Sequence, residues 1–168
     1  MHKRAQFLIR KLKLIKHPEG GYYSEVHRSA EIILPECLPR RYKTKRNYIT
    51  SIFYMLEGTD YSAFHFLKTD ELWHFYEGFP VTIYIINKDG KLTKIILGNN
   101  LYKGEKHFYV TQRGTWYALA LNNPESYALL GCTLSPGFEY EDMKFGKKTD
   151  LIKKFPRHKL LIRKYSFD

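Results

Sequence analysis

His65–Gly78 reads HFLKTDELWHFYEG, and the fold turns on this stretch. It carries an imidazole, a carboxylate and an indole within a dozen residues, and it ends at the turn Gly78-Phe79-Pro80. Successive side chains of a strand point to opposite faces, so His65 and Leu67 share one face. Glu71 follows a turn and points into the same interior from the next strand, while His74 faces away from it. The pattern predicts residues lining the mouth of a β-barrel.

Alternating runs continue on both sides. From Tyr48 the candidate strands are Tyr48–Leu56, Tyr61–Leu67, Glu71–Tyr76, Val81–Ile86, Lys91–Leu97, His107–Val110, Trp116–Leu121 and Tyr127–Leu134. Turn sequences separate them, among them Glu57-Gly58, Asp89-Gly90, Gly98-Asn99-Asn100 and Arg113-Gly114. Short strands at nearly even spacing are the signature of a sandwich or a closed barrel. No helical segment interrupts the series, which argues against a parallel βαβ sheet.

Upstream, Ala5, Leu8, Ile9, Leu12 and Ile15 recur at helical spacing, predicting an amphipathic helix over Lys3–Lys16. His17-Pro18 ends it, because the residue before a proline is pushed out of the α region. Gly20-Gly21 marks a tight turn or a close backbone approach. Tyr22–Arg28 reads as a strand with Tyr22, Ser24, Val26 and Arg28 on one face and Tyr23, Glu25 and His27 on the other. Ala30–Asn47, with prolines at 35 and 39, reads as a long loop placed to fold over a pocket mouth or to cover a subunit edge. Beyond Ser135-Pro136-Gly137 the chain leaves the sheet. Asp150–Phe155 suits a short helix, and the last dozen residues, basic and apolar together, suit an added edge strand.

At 168 residues the chain is long enough for one domain with a substantial core. Hydrophobic residues are 43% and aromatics 16%, too many for a disordered chain, and the 14 Tyr and 11 Phe favour strands. The formal charge is +11, with basic clusters at Arg10–Lys16, Arg40–Arg46 and Lys153–Lys164. Two clusters lie near the chain ends and one in the expected loop. We read them as a solvated exterior, in preference to a nucleic-acid or anionic-membrane surface, since charge by itself reports non-specific attraction. Cys37 and Cys132 are far apart and show no CxxC spacing, so neither a disulfide scaffold nor a zinc knuckle is expected. No apolar h-region follows the first charges and no apolar run approaches ~18 residues, so neither a signal peptide nor a membrane span is expected, and a cytoplasmic location follows by default.

Gly58, His65, Glu71 and Gly78 matter as a set. Their spacing resembles the first cupin motif (Gly, five residues, His-x-His, three or four residues, Glu, six residues, Gly), with one extra residue before the histidine and Leu67 in place of the second. Gln112–Tyr117, QRGTWY, resembles the second motif, Pro-x-Gly-x-x-His, at its glycine alone, with Tyr117 where the last histidine would stand. Two of four expected metal ligands are therefore absent, which argues against a divalent metal and leaves no cofactor predicted. A closer resemblance rests on HPEGGYYSEVHRS (His17–Ser29), DELWHFYEG, Gly114–Trp116 and GCTLSPGFEYEDM (Gly131–Met143), in that order. Together they look like the fifth cupin family, a domain of unknown function similar in fold to jelly-roll nucleotide-sugar epimerases. The chain departs from that family's usual pattern at Gln112, where proline is common, and at Tyr117, where glutamine is common.

The resemblance, running from about His17 to Pro156, implies a mainly β fold: a double-stranded β-helix, or jelly roll, with an N-terminal helix, a short C-terminal helix and a pocket lined by the motif residues. It also implies a homodimer. The expected layout is one domain over 1–168, with a helix at 1–16, the core at 17–156 and a basic tail at 157–168. His65 is the candidate general base, Glu71 its orienting carboxylate and Tyr117 a candidate acid. Trp73 and Trp116 are candidates for an aromatic wall, Tyr23 and Tyr54 for ligand hydroxyl contacts, and Arg28 for a phosphate or carboxylate. A buried Glu71 calls for a wet pocket or an ion pair, with Arg28 or His65 as partner. Cys132 reads as an inert buried thiol, and Glu139 and Asp142 as surface groups. Three functions remain: a metal-free isomerase or epimerase acting on a sugar or nucleotide sugar, a dimeric jelly roll that binds a small ligand without turning it over, and, third, a nucleic-acid-associated protein.

Overall fold

The computed structural model of the protein describes residues 2–167. In chain order the elements are α1 (Lys3–Lys11), β1 (Ile15–Lys16), β2 (Tyr22–Arg28), β3 (Ile32–Ile33), β4 (Arg46–Asn47), β5 (Thr50–Glu57), β6 (Tyr61–Leu67), β7 (Glu71–Gly78), β8 (Val81–Ile86), β9 (Leu92–Leu97), β10 (Phe108–Thr111), β11 (Trp116–Leu121), β12 (Tyr127–Leu134), β13 (Met143–Phe145), α2 (Lys148–Lys154) and α3 (Lys159–Lys164). The larger sheet has the order β1-β2-β5-β12-β7-β10 and the smaller one β13-β6-β11-β8-β9, with β3 and β4 forming a separate ribbon. Named strand pairs are antiparallel, and the two sheets make a mainly β jelly roll. No helix among the described residues is long and apolar enough to cross a membrane.

Alternation sorts the strand residues into three apolar layers. Between the sheets lie Tyr54, Leu56, Trp73, Phe75, Ile83, Ile85, Leu119 and Leu130. The opposite face of the smaller sheet, with Phe64, Ile86, Ala118 and Ala120, is covered by Leu151, Phe155, Ile162 and Tyr165 of the C-terminal segment. The opposite face of the larger sheet is covered at Met55 and Leu129 by Ala5 and Leu8 of α1. Each buried side chain of this size stabilises the fold by roughly 1.5–3 kcal/mol relative to exposure.

Several sequence-based boundaries move for identifiable reasons. The N-terminal helix stops at Lys11, not Lys16: Lys13 adopts φ +53°, which turns the chain so that Ile15 and Lys16 pair with Tyr23 and Tyr22. The last dozen residues are not an edge strand. The edge of β6 is taken by β13, and α3 instead turns Ile162, with Tyr165 just beyond it, onto the smaller sheet. In β2 a bulge between Glu25 and His27 breaks the alternation. It moves Arg28 to the face of Tyr23 and Glu25, as an extra residue in one strand must. The 30–47 loop contains β3, β4 and a 3₁₀ turn over Pro35–Cys37, and it contributes no side chain to the barrel cavity.

Candidate functional site

At one end of the barrel a cavity of about 170 Å³ opens between the sheets. Glu71 lies in its wall, 6% exposed, at the start of β7. Two donors hold the carboxylate: Tyr117, from β11 of the opposite sheet, donates its hydroxyl to Oε2, and Cys132, from the neighbouring β12, donates its thiol to Oε1. Burial pushes Glu71 up to about 7. The positive charge available at His65 and the two donors oppose that rise, and the negative charge of Glu19 adds to it. Burial and the facing carboxylate hold the Tyr117 hydroxyl and the Cys132 thiol well above their ordinary values, so both stay protonated donors.

His65 is 1% exposed on β6, next to Tyr117 on β11. Its Nδ1 lies 2.8 Å from the Ala63 carbonyl oxygen. A carbonyl can only accept, so Nδ1 carries the hydrogen and the lone pair of the neutral ring sits on Nε2. Nε2 faces Glu19 Oε2 at 3.5 Å. Glu19, 5% exposed, escaped the sequence reading. The loop that carries it closes the gap between β2 and β6: the Ala63 amide donates to the Glu19 carbonyl at 2.8 Å, and the Tyr54 hydroxyl donates to the Gly20 carbonyl at 2.8 Å. Gly20 has φ +108°, and a Cβ there would overlap the Tyr61 carbonyl oxygen. The two glycines thus let the loop press onto β6 and deliver Glu19 inside. The available signal was a carboxylate set immediately before Gly-Gly. His17, also lining the cavity, is lowered by burial, with Glu19 opposing.

At the outer rim the bulged Arg28 bonds Glu25, Glu139 Oε1 and Asn47 Oδ1, the latter two at 2.9 Å, and the Phe138 carbonyl at 3.3 Å. It does not reach Glu71 as an ion-pair partner. Phe138, Glu139, Tyr140 and Met143 supply the wall opposite Glu25. That wall is anchored from behind, where the fully buried Arg46 grips Asp142 through Nε at 2.6 Å and Nη2 at 2.7 Å. Asp142, expected on the surface, is 2% exposed, and Glu139 lines the cavity.

The cavity therefore brings together His65, Glu71, Tyr23, Arg28 and Trp73. Tyr117 stands behind Glu71 and does not line it. Tyr54 is likewise behind the wall, its hydroxyl engaged by Gly20. Trp116 packs against Phe66 on the far face of the smaller sheet, under the C-terminal segment. Trp73 is 1% exposed, and its buried indole Nε1 has no hydrogen-bond partner among the described residues. Among the described residues no three His, Cys, Asp or Glu side chains are grouped to hold a metal ion. Both Glu71 oxygens accept hydrogen bonds from protonated donors, and His65 Nε2, the ring nitrogen its Nδ1–H bond leaves for a ligand, faces Glu19.

A family model described as "Cupin superfamily (DUF985)" matches residues 6–146. The chain is 33% identical to the protein SO0799 from Shewanella oneidensis, over 99% of each chain, with a TM-score of 0.88. It is 28% identical to a hypothetical protein from Leishmania major, over 98% of this chain and 99% of that one, also at 0.88. It is 28% identical over 157 residues to the uncharacterized protein YML079W of Saccharomyces cerevisiae, covering 88% of this chain and 78% of the yeast protein. Oxalate decarboxylase from Bacillus subtilis shares the fold alone, at 15% identity and a TM-score of 0.54, over 91% of this chain and 38% of that enzyme.

Proposed function

The chain belongs to the cupin superfamily family DUF985, and from that premise we propose that its barrel binds a small polar molecule about the size of a single sugar ring and moves a proton on it, in the manner of an isomerase or epimerase and without a metal. The carrying observation is that an imidazole, His65, and a carboxyl, Glu71, line one cavity. His65 has its Nδ1 pinned to the Ala63 carbonyl and turns Nε2 toward Glu19, 3.5 Å away. Glu71, pushed up to about 7, holds a proton for part of the time at neutral pH and can return it. A carboxyl protonated part of the time and an imidazole in the same cavity are a pair that proton shuttling can use. Tyr117 serves as a positioning residue, orienting Glu71 from behind.

Size narrows the ligand. A cavity of about 170 Å³ is close to the ~150 Å³ that accommodates benzene, and below the ~300 Å³ at which drug-sized pockets begin. One ring fits; a nucleotide sugar does not fit within the enclosed volume. The analogy to epimerases is one of fold. The test needs no prior substrate. Aldoses and ketoses are incubated with the protein in D₂O, and exchange at the carbon next to the carbonyl is followed by proton NMR. Exchange in wild type that is lost in a folded His65→Gln variant is the expected result. Binding of a sugar with no exchange on long incubation would instead favour the non-catalytic binding module.

A further inference from the structure

Four carboxylates, Glu19, Glu25, Glu71 and Glu139, line the cavity. The one arginine there, Arg28, has its guanidinium saturated by Glu25, Glu139, Asn47 and a backbone carbonyl. His65 directs Nε2 at Glu19, so any charge it acquires is matched by that carboxylate. Glu25 and Glu139 share the one charge of Arg28, Glu71 is protonated part of the time, and burial lowers His17. The lining therefore keeps a net negative charge with Glu19 as its innermost carboxylate; an anion is repelled and a cation drawn in. Two further observations concern the other end of such a ligand. Trp73 lines the cavity, and its buried indole N–H has no hydrogen-bond partner among the described residues, a donor left for an acceptor on a ligand. Tyr23, Phe138 and Tyr140 add aromatic faces, whose negative quadrupoles also favour cations.

The geometry points to a small hydroxylated amine, one ring in size and of the amino-sugar type, as the ligand of the barrel: its ammonium is held by Glu19, and one of its oxygens accepts from Trp73 Nε1. This rests on the reading that the cavity takes a small polar molecule, and it adds the sign of the charge.

A charge series on one ring tests it. Titration calorimetry of the full-length protein at about pH 6.5, below the range of such amines, compares glucosamine, glucose and glucuronate. Glucosamine is expected to bind at least tenfold more tightly than glucose, and glucuronate not to bind. In Glu19→Gln the advantage of glucosamine over glucose is expected to vanish. The wild-type series decides the matter even where that variant fails to fold. Equal binding of glucosamine and glucose, or tighter binding of glucuronate, overturns the charge assignment and leaves the small-ligand reading standing. Binding of none of the three overturns both.

Discussion

Glu19 Oε2 stands 3.5 Å from His65 Nε2, although the two residues come from opposite sides of a seam, one from the loop before β2 and the other from the middle of β6. The contact joins wall and chemistry. The segment that shuts the barrel also places the carboxylate that faces the candidate base and raises Glu71.

Glu71 makes the stability of the fold depend on pH with a defined sign. Its folded value, about 7, lies above the ordinary 4.5, so between these the folded state holds a proton that the unfolded state has released. Stability is then unaffected by this group below about 4.5, falls as pH rises toward about 7, and levels off above. The full swing is on the order of 3 kcal/mol. Urea denaturation at a series of pH values checks it. Glu71→Gln should lack that limb, and a wild-type profile flat across this window contradicts the assignment.

The same carboxyl has neighbours that pull in opposite directions. Tyr117→Phe removes a donor to the ionised form, so the Glu71 midpoint should rise by about 1 pH unit. Glu19→Gln removes a nearby negative charge, so the midpoint should fall by a comparable amount. Carboxyl-carbon NMR titrations of the two variants should bracket wild type, and shifts of the same sign would refute the arrangement.

Gly20→Ala should destabilise the protein by on the order of 2–3 kcal/mol, because a φ of +108° is strained for alanine and its methyl group would meet the Tyr61 carbonyl. The same substitution at Gly104, where φ is +77° but nothing lies within 4 Å, should cost only about 1 kcal/mol. Paired denaturation curves distinguish backbone strain from collision.

Arg46→Ala leaves Asp142 buried with Lys68, at 3.2 Å, as its remaining cation. A loss of about 3 kcal/mol is expected, since removing one member of a buried pair strands the other. Because the segment that follows Phe138 is held through this pair, ligand affinity should fall as well. An unchanged Kd in a destabilised variant would separate the anchor from the site.

The strands were legible in the sequence wherever a single rule, alternation, governed the chain. Tyr61–Leu67, Val81–Ile86, Trp116–Leu121 and Tyr127–Leu134 keep the expected bounds, and so does Tyr22–Arg28 despite the bulge that breaks its alternation. The same rule placed His65 and Glu71 on one interior and turned His74 outward, where it packs on Phe108. It also contained a warning that went unused: Trp116 and Tyr117 are adjacent on one strand, so they could not both face inward. What alternation cannot express was missed. The bulge that turns Arg28 and the pairing that cuts α1 short are tertiary effects. Glu19 sits in a turn with no period, and its burial depends on contacts with Ala63 and Tyr54 more than thirty residues away.

Arg28 holds the segment at Phe138 and Glu139 against the bulged end of β2. The flank between β2 and β6 is shut by hydrogen bonds to Glu19 and Gly20, while Phe138, Glu139 and the half-exposed Tyr140 stand at the rim of the cavity. There the guanidinium is fastened to Glu139 and to the Phe138 carbonyl. One side chain thus ties β2 to the segment beyond β12 across the cavity's rim, so the width of that rim is a property of the tertiary fold and not of either element alone.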